Sequence, residues 1–268
     1  MKFPDYDLRF GICRLAPLLL PVRLSLVVGA CVFALNLSAQ TPLTADGLAA
    51  LPTASASGGG GGGGGGNTFT LVAHSIGTAS STTTATTAAR DITGAKLIVV
   101  SIANFNSSGA DTGPSDGVNT FLPLTIKGPP TLGTRTNQMW YVINPTTSST
   151  YTVSAKRNYT TITMAAFSYS GTTPALDGQA AGAGADSSTT IQPGSLTPSG
   201  TELFVTGVAC ANTITTSSVN SSFTGTDAGS PAAGLFGGMA YKSSSTAEDP
   251  TWTQGSAGGI AANMAKFK

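Results

Sequence analysis

Of 268 residues, 40% are hydrophobic and only 9% are charged, against roughly 25% charged in ordinary globular domains. Disorder calls for low hydrophobicity with high net charge, and neither holds, so the chain can build a packed core. The net charge of +1 excludes the electrostatic footprint of a nucleic-acid or anionic-membrane binder.

The first 39 residues read as a secretory leader. Lys2, Arg9, Arg14 and Arg23 precede the apolar run Leu24 to Leu37, which ends in the small residues Ser38 and Ala39. Cleavage is expected after Ala39. A retained anchor is the alternative, but this run is shorter than the roughly 20 residues a spanning helix needs. Val28-Gly29-Ala30-Cys31 also has the form of a lipoprotein acceptor, although Arg23 shortens the apolar stretch before it. Beyond residue 39, nine basic residues stand against ten acidic ones, a net of −1, so no membrane contact is expected after cleavage.

Residues 40–66 read as a linker: an Ala/Thr/Ser/Pro stretch, then nine consecutive glycines from Gly58 to Gly66. Such a glycine run behaves as a random coil with an end-to-end distance of roughly 16 Å.

From Asn67 to Lys268 the pattern changes to short runs of Val, Ile, Thr, Tyr and Phe, broken about every ten residues by Gly, Pro, Asn and Ser. Eleven strands are expected, near 68–75, 82–88, 96–105, 120–126, 138–143, 150–156, 160–170, 189–192, 202–210, 235–241 and 260–267. Leu97-Ile98-Val99-Val100 and Met164-Ala165-Ala166-Phe167 are apolar on both faces, as in strands covered on both sides. Tyr151, Val153 and Ala155 alternate with polar residues and imply one wet face. Pro123 places its strand at an edge or a bulge. No segment carries a long helical period. The expected fold is all-β, a two-sheet antiparallel sandwich of jelly-roll type following a signal helix and a glycine linker.

Several stretches resemble a recurring domain of uncharacterised bacterial secreted proteins that is also found in phage-encoded ones. They are Phe69-Thr70-Leu71-Val72, Asn119 to Thr125, Trp140 to Pro145, Ala165 to Gly171, Thr190 to Ser195, Ala240-Tyr241-Lys242, Pro250-Thr251-Trp252-Thr253 and Met264 to Lys268. The resemblance covers Asn67 to Lys268 in order. It implies the β class and the domain boundary and transfers no catalytic residue.

Chemistry has few carriers. Cys13 and Cys31 fall in the leader, which leaves Cys210 inside the apolar run Leu203 to Ala211, where a thiol acts as a small core hydrophobe. His74 is the single histidine; it alternates with Phe69, Leu71 and Ala73 and is expected on the opposite face of its strand. One histidine cannot supply a histidine-based metal cluster, and no Gly-x-Ser-x-Gly elbow accompanies it. Glu202 opens a strand and Glu248 lies in a loop, neither in the mid-strand position of a paired-carboxylate glycosidase. Asp111, Asp116 and Asn119 carry oxygen ligands that calcium accepts, but Asp116-Gly117 is also a hairpin-turn dipeptide, and turn chemistry is the better account. No cofactor is called for, and the chain is expected to be non-enzymatic.

Aromatic side chains on a sheet face or loop tip bind the apolar face of a sugar ring. Trp140 and Tyr169 have apolar neighbours and are assigned to the core. Tyr159 follows Lys156-Arg157-Asn158 in an expected hairpin turn, where binding residues concentrate. Arg157, Tyr159 and Trp252 are therefore the expected ligand-binding residues, although Trp252 also fits a strand at the core edge. The expected function is a secreted or cell-surface adhesion module, with extracellular polysaccharide as the first ligand class. The alternative is a self-assembling envelope or virion-type subunit.

Overall fold

Apolar runs such as Leu97 to Val100 form strands that need cover on both faces, and the fold supplies it in layers. The structure, a computed structural model, describes residues 67–80, 83–105, 113–125, 135–156, 159–182, 184–232 and 234–268. The expected leader 1–39 and linker 40–66 lie outside these residues. In chain order the strands are β1 Phe69–Ala79, β2 Thr84–Thr86, β3 Leu97–Phe105, β4 Leu122–Pro123, β5 Arg135–Ile143, β6 Ser154–Lys156, β7 Thr160–Tyr169, β8 Leu176–Ala181, β9 Ala185–Ile191, β10 Glu202–Cys210, β11 Thr224–Ala232, β12 Leu235–Ser244 and β13 Trp252–Phe267. No helix occurs among the described residues.

The strands form three antiparallel sheets. The first has the order β1-β7-β3-β5-β4, the second β11-β12-β10-β13-β8 with β9 also paired to β13, and the third is the pair β2-β6. The two large sheets face each other. Leu97, Val99, Met139, Ala165 and Phe167 of the first share one buried cluster with Leu203, Val205, Met239, Ala265 and Phe267 of the second. The outer face of the first sheet is covered as well. Ile98, Val100, Ile102, Ile162 and Met164 pack there with Ala85 of β2, Ala155 of β6, and Ile92, Tyr151 and Val153 from the connecting segments. On the outer face of the second sheet, Phe204, Val208, Ala262 and Met264 are covered by Ile214, Val219 and Phe223. Double cover explains why β3, β7 and β10 read as continuous apolar runs instead of alternating.

Two strands were not legible as such. β8 (Leu176-Asp177-Gly178-Gln179-Ala180-Ala181) and β11 (which holds Gly225, Gly229 and Pro231) are built from residues of low β-propensity and lie at the outer edges of the second sheet. Each extends because a partner strand supplies the ladder. The final strand also starts earlier than expected, at Trp252 instead of Ile260. Pro123 sits in the two-residue edge strand β4, where its missing N–H costs no ladder bond.

The expected face of His74 is corrected. The β1–β7 register shifts between Leu71 and Ala73, a bulge at Val72. One extra residue turns every later side chain to the other face. Phe69 and Leu71 pack into the cluster between the sheets, whereas Ala73 joins the outer cluster. His74 thereby comes to the side of the second sheet, with Nδ1 2.9 Å from Oδ2 of Asp227 on β11.

Candidate functional site

At the end of the sheets where β3 stops and β7 starts, Phe105, Tyr159, Ala232 and Leu235, among the described residues, line a pocket of about 250 Å³. Drug-sized ligands occupy roughly 300–1,000 Å³, so the space suits a single ring or the end of a chain. Leu235 is buried and forms the floor, while Tyr159 is exposed at the rim. The Tyr159 ring meets Phe105 edge-on at 5.9 Å between centroids, and the Tyr159 carbonyl accepts a hydrogen bond from the Phe105 amide at 3.2 Å.

Arg135, the first residue of β5, adds a cation. Its guanidinium carbon lies 5.0 Å from the Phe105 ring centroid, a cation–π geometry, and its Nε donates to the Gly234 carbonyl at 2.7 Å. Gly234 takes φ +91° between β11 and β12, a conformation that an L side chain resists. Tyr159 itself holds φ +48°. A bulky residue in the left-handed region is a backbone outlier of the kind found at ligand clamps. The reason is local: the residue before β7 must turn the chain into the strand while keeping its carbonyl on Phe105.

Of the three expected binding residues, the structure brings Tyr159 to a pocket and removes Trp252. Arg157 lies outside the described residues. Trp252 is fully buried in the outer cluster of the second sheet, and its indole Nε1 donates to Thr206 Oγ1 at 3.0 Å. Its assignment to a ligand surface is therefore corrected: Ile214, Val219 and Phe223 of the 211–223 segment share its buried cluster. Trp140 is buried, and Tyr169 is half-buried, with its ring 4.6 Å from that of Phe69.

The remaining candidates have partners that occupy them. Asp116 accepts from the amides of Val118 (2.9 Å) and Asn119 (2.8 Å), from Asn119 Nδ2 (2.5 Å) and from the Tyr151 hydroxyl (2.6 Å). Burial pushes its carboxyl up, but these donors outweigh burial and hold it below its ordinary value. Asn119 Oδ1 in turn accepts from the Thr146 amide at 2.8 Å. That is a braced turn, as expected of Asp116-Gly117; Asp111 lies outside the described residues. Glu248 accepts from Lys242 Nζ at 2.7 Å and from Ser244 Oγ at 2.6 Å. Burial pushes the Cys210 thiol up to about 12, so it stays protonated at neutral pH. Among the described residues no group of three His, Cys, Asp or Glu side chains is placed to hold a metal ion.

Sequence reasoning missed Phe105, Arg135 and Leu235 as pocket residues. Each ends or begins a strand, and only the pairing of β3 with β5 and of β11 with β12 sets them side by side. Fold and site together define a class: an all-β, sandwich-like protein with an aromatic-rimmed pocket at one end of its facing sheets. The chain matches no family model, no curated protein and no solved structure.

Proposed function

We propose that the protein is a secreted, non-catalytic surface or matrix module that binds a sugar unit of an extracellular polysaccharide at the Tyr159 pocket. The observation that carries the reading is the exposed Tyr159 ring, held by a left-handed backbone at the rim of an apolar pocket beside the Arg135–Phe105 pair. An aromatic face covers the apolar side of a pyranose. Export rests on the basic start and apolar run of the leader and on the resemblance to secreted domains. We read the architecture as a two-sheet antiparallel sandwich. Each large sheet takes its strands from its own half of the chain.

A glycan array tests the function. Retention of the purified protein on a polysaccharide, lost in Tyr159→Ala while the melting temperature stays nearly constant, is the expected outcome; the edge contact to Phe105 contributes only about 0.5–1.5 kcal/mol. Equal retention of the variant would remove the pocket from binding. Glycan or peptide hydrolysis that disappears on changing Glu202 or His74 would overturn the non-catalytic reading.

A self-assembling envelope or virion-type subunit is the second reading. The exposed apolar side chains of Val118 and of Leu122, on edge strand β4, favour it. A concentration-dependent oligomer in sedimentation, abolished by Leu122→Lys, would support it over the first.

A further inference from the structure

Lys266 is a buried lysine in the apolar run Ile260 to Phe267, and it stands between two carboxylates. β13 lies between β10 and β8, so Lys266 has Phe204 as one cross-strand neighbour and Gly178 as the other. The lysine stem occupies the space above Gly178, where a Cβ would be 3.1 Å from Lys266 Cε. Glu202, one step along β10 on the same face as Phe204, places Oε2 2.9 Å from Lys266 Nζ. Its Oε1 is fixed by the Ser199 amide and hydroxyl, each at 2.8 Å.

Asp177 reaches the same nitrogen because of a defect in the ladder. The β8–β13 register passes from Lys266↔Gly178 to Phe267↔Leu176, which leaves Asp177 as a bulged residue. Bulges re-aim side chains, and this one turns the carboxylate onto Lys266. The Nζ of Lys266 touches Asp177 Oδ2, and the Nζ of Lys268 touches Asp177 Oδ1. The two oxygens of one carboxyl group thus have different partners.

We propose that Lys266 and Asp177 are joined by an intramolecular amide bond, formed by the protein itself with Glu202 as the proton-transfer group. At rest the cluster is ionic: burial pushes the Lys266 ammonium down, but Asp177 and Glu202 outweigh burial and hold it above its ordinary value. Reaction starts when Nζ passes a proton to Asp177 Oδ2, giving a neutral amine beside a neutral acid. The amine lone pair attacks Cγ of Asp177. Charge that develops on Oδ1 faces the Lys268 ammonium. Glu202 takes a second proton from Nζ and delivers it to Oδ2, the Cγ–Oδ2 bond breaks, and water leaves. One ammonium and one carboxylate become one amide and one water; Glu202 ends as it began, and no oxidant or co-reactant is needed. Positioning supplies the entropic part of the activation; Lys266 and Lys268 hold the Asp177 carboxyl down at about 2, so the proton transfer that makes amine and acid neutral is the uphill step that Glu202 must assist.

The chemistry also accounts for charge in a poor place for it. A buried ion pair adds little net stability, because desolvation offsets the attraction. The amide removes both charges and closes the chain between positions 177 and 266, tying edge strand β8 to its ladder neighbour β13.

Peptide mapping of the purified full-length protein by tandem mass spectrometry tests the proposal. The expected result is a branched peptide joining the segments around Asp177 and Lys266, lighter than their sum by one water, with no tryptic cleavage after Lys266. Recovery of two separate, unmodified peptides from folded protein would overturn it. Lys266→Arg keeps the positive charge but offers no amine, so it should give separate peptides. Glu202→Gln should slow or abolish the link, and a fully linked Glu202→Gln protein would remove Glu202 from the reaction. The measurement on the unmodified sequence does not depend on whether any variant folds.

Discussion

Gly207 on β10 and Ser101 on β3 face each other across the two large sheets so closely that a Cβ at 207 would stand 2.9 Å from the Cβ of Ser101. A Cβ on Gly237 would likewise stand 2.8 Å from those of Ala103 and Thr161. Small residues bring the sheets together along this lane, and the same lane carries polar contacts: Asn137 Nδ2 donates to Ser101 Oγ at 2.8 Å, and Asn263 Nδ2 to the Asn137 carbonyl at 2.9 Å. Overpacking a tight interior costs about 1–3 kcal/mol. Gly207→Ala should lower stability by that amount in denaturant titration. Adding Ser101→Gly should recover part of the loss, and strictly additive losses would show that the two positions do not meet.

Trp252 separates core from surface. Truncation of a large buried aromatic costs about 3–5 kcal/mol, so Trp252→Ala should lower the melting temperature sharply. Trp252→Phe should cost less than Ala yet remain measurable, because it removes the indole donor to Thr206 Oγ1. An unchanged melt in the Ala variant would return Trp252 to the surface.

Acid should weaken the protein through Glu248 as well as Asp116. Burial pushes the Glu248 carboxyl up, but Lys242, Ser244 and Thr246 outweigh burial and hold it below its ordinary value. Both carboxyls titrate lower in the folded chain than in the unfolded one. Their stabilisation is therefore complete above the unfolded values, about 3.9 for Asp and 4.3 for Glu, and is lost as pH falls through the folded ones. Glu248→Gln and Asp116→Asn should each flatten the acid limb of the stability–pH curve below about pH 4 and leave its neutral part similarly shaped. A steeper acid limb would contradict the sign.

Removal of residues 260–268 should abolish cooperative unfolding. Ile260, Met264 and Phe267 are buried, and β13 is paired to β10 over this stretch. At about 1.5–3 kcal/mol each, they amount to roughly 5–8 kcal/mol, comparable with the 5–15 kcal/mol stability of a typical domain. An unchanged melting transition in the truncated chain would place the last structural strand earlier.

The sequence alone determined the all-β class and most of the strands; the hairpin expected at Tyr159 is not one, because β6 pairs with β2 and β7 with β1 and β3. The class and the strands depend on local signals: β-branched and aromatic runs, period-two alternation, and turn residues between them. Doubly apolar strands such as β3 and β7 were legible because cover on both faces leaves no polar side to write. Tertiary structure decided what depends on neighbours distant in the chain. β8 and β11 are strands through pairing alone, since Gly and Pro carry little preference of their own. A one-residue bulge at Val72 turned His74 toward Asp227, a slip that alternation cannot foresee. Trp252 moved from expected surface to core because it shares a buried cluster with Ile214, Val219 and Phe223. Lys266 had left a faint signal, a lysine inside an apolar strand, but its two carboxylate partners come from β8 and β10, and only the register of those strands places them at one nitrogen.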